Sequence, residues 1–208
     1  MADMSYEKSY YELGYQLVAG TDEAGRGCLA GPLVVSAVIF PPSYTNPLIN
    51  DSKTLTKKKR ETLYEIIIKD ALSYSIIEIS NEDVDKFNIY EASKFGMIQA
   101  VKELKQEVDV ILTDAMAFNY DNALVIPIIK GDSISLSIAA ASILAKVHRD
   151  KLMDEYAQIY PGYDFKNNKG YVTKKHLLAL EELGVTPIHR KTYAPVSKHL
   201  NKQLSFKF

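Results

Sequence analysis

The sequence predicts an α/β domain built on a mixed sheet flanked by helices, its later strands parallel, with a helical extension at the C-terminus. Three observations carry that reading: five strand-length runs rich in β-branched residues, helical patterns that alternate with the later runs, and a shift to basic composition after residue 165. The expected division is a main domain over residues 1–165 and a basic helical extension over 166–208 packed on it.

The strand runs are "YQLVAGTD" (15–22), "PLVVSAVIF" (32–40), "LSYSIIEIS" (72–80), "VDVILTD" (108–114) and "ALVIPII" (123–129). Thr56 is a suitable N-cap for the helical pattern "KKKRETLYEIIIKD", and a second helix is expected over about 88–106. A third starts near Ser137, and the small residues of its first turns, "IAAASILA", would let it lie close against the sheet. Thr173 caps a fourth, "KKHLLALEEL", which Gly184 stops, with Pro187 beyond. No repeat, low-complexity tract or Pro/Gly/Ser-rich linker divides the first 160 residues.

With 208 residues, 47% of them hydrophobic, the chain is long enough to bury a good core. Its formal net charge of -1 hides an asymmetry. Residues 166–208 carry nine Lys or Arg against only Glu181 and Glu182, a net +7, which leaves -8 for residues 1–165. A basic segment joined to an acidic body suits a polyanionic partner, although a solvated helical tail would have the same composition. Cys28 is the one cysteine, so no intrachain disulfide forms, and a reducing cytoplasm is the expected setting. The N-terminal stretch has no apolar core of a leader peptide, and the longest apolar run, near 138–145, is far too short to span a bilayer, so no membrane association is expected.

Three of the strand runs end in acid. The first closes on Asp22 and Glu23, the fourth on Asp114, and the fifth delivers Asp132 three residues past Ile129. Strand ends of open α/β sheets form the crevice where ligands sit, so these four carboxylates could meet. Two carboxylates about 4 Å apart repel by roughly 4 kcal/mol at an effective dielectric near 20. Such a cluster must either keep protons or hold cations, and hard oxygen donors suit Mg²⁺ or Mn²⁺. Each acid alone also has a plain structural reading, as a turn opener, a strand terminator or a helix N-terminal acid favoured by the dipole.

Several rival motifs fail in context. "GRGCLA" (25–30) matches a dinucleotide fingerprint by letter, but Gly31, Pro32 and a β-branched run follow where a helix should open. No P-loop accompanies "VDVILTD". The four histidines, 148, 176, 189 and 199, lack metal-ligand spacing and suit surface or packing roles. One cysteine and no G-x-S-x-G leave covalent nucleophilic hydrolysis without support.

Six blocks, in order along nearly the whole chain, resemble ribonuclease HII, the bacterial type 2 ribonuclease H. They are "GTDEAGRGCLAGP" (20–32), "NDSKTLTKKKRETL" (50–63), "NIYEASKFGMIQAV" (88–101), "ILTDAM" (111–116), "IIKGDSISLSIAAASILAKVHRDKLM" (128–153) and "NKGYVTKKHLLALEELGVTPIHRKTY" (168–193). The resemblance implies a ribonuclease H-like fold with a five-stranded mixed sheet, three antiparallel strands followed by two parallel ones. It also implies a metal-dependent endonuclease acting on RNA/DNA hybrids and on duplex DNA that contains a single ribonucleotide, cut on its 5′ side to leave 3′-hydroxyl and 5′-phosphate ends. Its four acidic positions fall on Asp22, Glu23, Asp114 and Asp132, as catalytic and metal-binding residues for two Mg²⁺ or Mn²⁺ ions. Asp150, about thirteen residues along its helix and so roughly 20 Å from the helix start, is set aside as structural, paired with Arg149 or a neighbouring loop.

The same likeness makes Gly25, Arg26 and Gly27 the reader of the 2′-hydroxyl, where glycines let the backbone press against a sugar. It makes Tyr171 the residue that stacks on the sugar after the ribonucleotide; Val172 stands beside it where the family commonly has glycine. Lys53, with Lys57 to Arg60 and the basic tail, would contact phosphates, fixing register and making binding salt-dependent. A monomer is expected, and Cys28, in a place where many relatives have proline, has no role beyond packing.

Overall fold

The computed structural model describes the backbone of residues 2–205 and the side chains of residues 2–200. Lys207 of the basic tail therefore lies outside the described residues, as does the side chain of Lys202. Elements follow in the order α1 (Ser5–Glu12), β1 (Val18–Ala24), β2 (Leu33–Ile39), α2 (Lys57–Asp70), β3 (Ser73–Ile79), α3 (Asn81–Phe87), α4 (Ile89–Lys102), β4 (Val110–Asp114), β5 (Leu124–Ile128), α5 (Leu136–Ile159), α6 (Phe165–Asn168), α7 (Lys174–Leu183) and α8 (Ala194–Ser205). Two single turns of 3₁₀ helix, Ser52–Thr54 and Gly131–Ser133, complete the set.

The five strands form one sheet in the order β3-β2-β1-β4-β5. β1 runs antiparallel to β2 and parallel to β4, which is parallel to β5, so the mixed sheet expected from the sequence is present. β2 is buried at every position and β1 at all but Glu23, as fits central strands covered on both faces. The parallel register places Thr21 opposite Thr113 and Asp114 opposite Ile128, so β1 and β4 reach their acids at the same edge of the sheet.

Helix starts follow side-chain chemistry. Thr56 accepts from the Lys59 N–H, Ser80 from Asp83 and Thr173 from His176, each satisfying one backbone donor that the helix cannot. α5 lies against β1 so closely that a Cβ on Gly20 would fall on the backbone of Ser137 and Ile138. Ala139, Ala140 and Ala141 are fully buried there, and Ser36 Oγ on β2 donates to the Ala141 carbonyl at 2.6 Å. The N-terminal segment ties the start of α5 down. Fully buried Glu7 on α1 accepts through Oε1 from Ser135 Oγ at 2.6 Å and from the Ser137 N–H at 2.9 Å. The Asp3 N–H donates to the Ile134 carbonyl, and the Leu136 N–H to that of Asp3.

The chain separates into two compact units. The first comprises residues 1–24, 34–78 and 93–147; the second comprises 25–33, 79–92 and 148–208. The basic stretch from 166 onward thus groups with the glycine-rich turn after β1 and with α3. Its own core contains Leu29, Met153, Tyr163, Phe165, Leu180 and Val196. The helix expected over 88–106 is α4, shorter at 89–102, because Asn88 turns into a left-handed conformation at φ 65° and separates it from α3. Among the described residues no helix is long and apolar enough to cross a membrane.

Candidate active site

In the first unit, the strand ends bring Asp22, Asp114 and Asp132 together, with one carboxylate oxygen from each inside a span of 4.8 Å. Each arrives differently. Asp22 is the fifth residue of β1, Asp114 the last of β4, and Asp132 sits in the short 3₁₀ turn that follows β5. The Gly131 N–H donates to Asp114 Oδ1 at 2.8 Å, locking that turn to the end of β4. Lys130, in the left-handed conformation at φ 58°, turns the chain into it.

Asp22 and Asp132 are each only 4% exposed. Burial first, then the charges of Glu23 and Asp114, hold the Asp22 carboxyl well above the usual carboxylate range. Hydrogen bonds from the Ser142 side chain and the Glu23 N–H oppose that shift. Ser142 Oγ also lies 3.0 Å from Ser52 Oγ, so the two hydroxyls share a hydrogen bond. Asp114 is likewise raised, chiefly by burial, with the Gly131 N–H pulling the other way.

A cation faces the cluster: Lys53 Nζ lies 2.8 Å from Asp132 Oδ2. That hydrogen bond holds the Lys53 ammonium above its usual range. At 4.8 Å, each pair of ionised carboxylates repels by about 3 to 4 kcal/mol at an effective dielectric near 20. Fully ionised, the three carboxylates carry three negative charges and Lys53 balances one, so bound divalent cations would balance the rest. The donors are all carboxylate oxygens, so the set fits a hard divalent cation and not a thiophilic metal.

In the second unit, Gly25 is buried and Arg26 and Gly27 are exposed. Two fully buried arginines hold this turn by its carbonyls. Arg149 donates to the carbonyls of Pro32, Ala30 and Lys169, and Arg190 to those of Gly31 and Arg26. Tyr193 Oη adds a bond to the Arg26 carbonyl at 2.7 Å. Gly25 needs to be glycine, because its φ is +100° and a Cβ would strike the Arg149 guanidinium. Tyr171 pairs with Cys28 through an isolated antiparallel bridge, and its ring lies 5.8 Å from the Arg149 guanidinium carbon.

Residues 19–196 match the family model for ribonuclease HII. The chain belongs to the ribonuclease HII family. A ribonuclease HII from Mycoplasma mycoides subsp. mycoides SC is 53% identical over 189 residues, covering 90% of this chain and 91% of that protein. One from Acholeplasma laidlawii is 50% identical over 200 residues, covering 96% and 98%. Among solved structures, the ribonuclease H2 of Pyrococcus horikoshii OT3 matches with a TM-score of 0.79 at 26% identity, covering 90% of this chain and 98% of that one. The sheet, its order and these matches together make this a ribonuclease H-like fold, and the chain a ribonuclease H that degrades RNA in RNA/DNA hybrids.

Of the four acids expected in this ribonuclease HII, the structure draws three into the 4.8 Å cluster. Glu23 follows Asp22 on β1 and acts on it through charge. Asp150, set aside from the sequence, belongs to the second unit and is not one of the three. Its neighbour Arg149 spends its guanidinium on backbone carbonyls. Val172 needs no glycine: the positive-φ residues here are Lys169 and Gly170. Sequence reasoning missed Ser52 and Ser142, which brace Asp22, and Arg190, which braces the turn. The "DSK" block contained the first of these, but nothing in its spacing announced a partner 90 residues away.

Proposed function

We propose that this ribonuclease HII is an endonuclease that cuts the RNA strand of RNA/DNA hybrids and nicks duplex DNA on the 5′ side of a single ribonucleotide. Catalysis uses two divalent ions, Mg²⁺ or Mn²⁺, and leaves 3′-hydroxyl and 5′-phosphate ends. The observation that carries this reading is the meeting of carboxylate oxygens of Asp22, Asp114 and Asp132 within 4.8 Å of one another. Asp22, Glu23, Asp114 and Asp132 would hold the ions. When bound, the ions supply a hydroxide from water and neutralise charge on the scissile phosphate and the departing 3′ oxygen.

The protein's own groups do the rest. Ser142 and Gly131 orient the Asp22 and Asp114 carboxylates, so that the ligands are set before substrate arrives. Gly25, Arg26 and Gly27 offer backbone groups to the 2′-hydroxyl. Tyr171, 40% exposed, presents its ring to the next sugar. Lys53 and the basic segment take phosphates. The lone cysteine suits a cytoplasmic enzyme, which we take to act as a monomer.

The test is a DNA duplex carrying one ribonucleotide, incubated with Mg²⁺, with Mn²⁺ and with chelator, and its products mapped. A metal-dependent nick 5′ of the ribonucleotide with 3′-hydroxyl and 5′-phosphate ends is expected. Cleavage of long hybrids alone, or 2′,3′-cyclic ends, overturns the reading.

A further inference from the structure

The second unit buries a pair of histidines that the acid chemistry does not use. His176 on α7 and His189 are both fully buried, and their Nε2 atoms lie 3.0 Å apart. Rings of Tyr163 and Phe165 enclose them, with Phe165 edge-on to His176 at 5.2 Å between centroids. The outer nitrogen of each ring meets a backbone group whose role is fixed. His176 Nδ1 faces the Tyr171 carbonyl at 3.0 Å, so it must carry a proton. His189 Nδ1 faces the Thr186 N–H at 3.0 Å and the Thr186 hydroxyl at 2.7 Å, so it must be bare.

Only one assignment of two neutral rings satisfies both ends. His189 carries its proton on Nε2 and donates it to the bare Nε2 of His176, whose Nδ1–H donates to Tyr171. A proton added to either ring would set two N–H groups against each other, between the rings or against Thr186. The chain is thus directional, running from Thr186 through His189 and His176 to the carbonyl of Tyr171. Its end is anchored too, since the His176 N–H donates to Thr173 Oγ1 at the start of α7.

We infer that His176 and His189 form a tautomer-locked relay that positions Tyr171 for the substrate sugar, which rests on the reading of Tyr171 as a substrate contact. The remaining atoms of Tyr171 are held in the same spirit. Its N–H donates to the Asn168 carbonyl at 2.8 Å, the Cys28 side chain hydrogen-bonds its side chain, and the Arg149 guanidinium lies over its ring. Both histidines are positioning residues, acting only through Tyr171, and Cys28 shares that role.

Two measurements test the relay. In native protein labelled with ¹⁵N-histidine at neutral pH, multiple-bond correlation spectra report each ring's tautomer. The expected result is one buried ring protonated at Nδ1 and one at Nε2; both protonated at the same nitrogen, or either ring charged, overturns the relay. Kinetics on a duplex with one ribonucleotide then ask what the relay does. His176→Phe, which keeps an aromatic ring and removes the donor, raises KM about three- to tenfold with kcat within about twofold. His176→Asn, whose amide can supply the lost N–H, returns KM to within about twofold of native.

In a Tyr171→Ala background His176→Phe changes nothing further. An equal loss in both backgrounds means a structural role only and overturns the positioning. A native KM for Tyr171→Ala itself overturns the substrate contact, and the positioning with it.

Discussion

Lys53 Nζ and Asp132 Oδ2, 79 residues apart in sequence, meet at 2.8 Å at the edge of the aspartate cluster. The lysine expected to hold phosphate thus also balances charge on a candidate metal ligand. The Lys53 side chain is 75% exposed and long enough to leave, whereas that of Asp132 is buried.

Replacing that ammonium separates its two roles. Lys53→Met removes a competitor for Asp132, so Mn²⁺ binding to the free enzyme tightens about three- to tenfold, most strongly at low salt. KM for substrate rises instead, and the slope of log KM against log salt becomes shallower by about 0.9 as one phosphate contact is lost. Metal titration and a salt series of initial rates measure the two effects. Unchanged metal affinity contradicts the charge-balancing role.

Gly25 and Gly27 respond differently to the same methyl group. Gly25→Ala strains a φ of +100° and drives the Cβ to 2.7 Å from Arg149 Cδ, with the guanidinium pinned by three carbonyls; it costs about 2 to 4 kcal/mol in urea unfolding. At Gly27 nothing lies within 4 Å of the added carbon, so stability stays within about 0.5 kcal/mol. If its backbone meets the 2′-hydroxyl, Gly27→Ala still lowers kcat/KM by about tenfold or more. A stable Gly27→Ala enzyme with native kcat/KM contradicts the sugar contact.

The histidine relay has an acid limit. Burial, followed by the neighbouring His176, pushes the His189 imidazole from 6.5 down to about 4. A depressed folded value means that the unfolded chain binds the proton first, so the contribution is whole above pH 6.5 and is lost as pH falls toward 4. The loss reaches up to about 3 kcal/mol. Urea unfolding of native protein and His189→Gln between pH 7.5 and 4.5 isolates it: the stability difference between them shrinks as acid is added. A difference independent of pH contradicts a neutral pair.

Much of this was legible in the chain. Every strand lies inside or within two residues of its β-branched run, because central strands buried on both faces must be written in apolar residues. The acids were visible for the same reason: Asp22, Asp114 and Asp132 interrupt or follow apolar runs, where a carboxylate is costly to bury. α1 was not legible, since "SYEKSYYE" has no apolar stripe and docks through one buried glutamate. α3 carried a signal in Ser80 followed by Glu82 and Asp83, but its polar face hid it. The histidine relay and the Lys53 ion pair depend on residues 13 and 79 positions apart, a distance over which spacing says nothing.

The central claim is that Asp22, Asp114 and Asp132 act as one divalent-cation site on which RNA cleavage depends. Calorimetric titration of Mn²⁺ into the native protein and into Asp22→Asn, Asp114→Asn and Asp132→Asn tests it most directly. The account predicts saturable binding to the native chain that weakens at least about tenfold in each variant, in parallel with loss of cleavage. Native-like Mn²⁺ affinity in all three folded variants contradicts it.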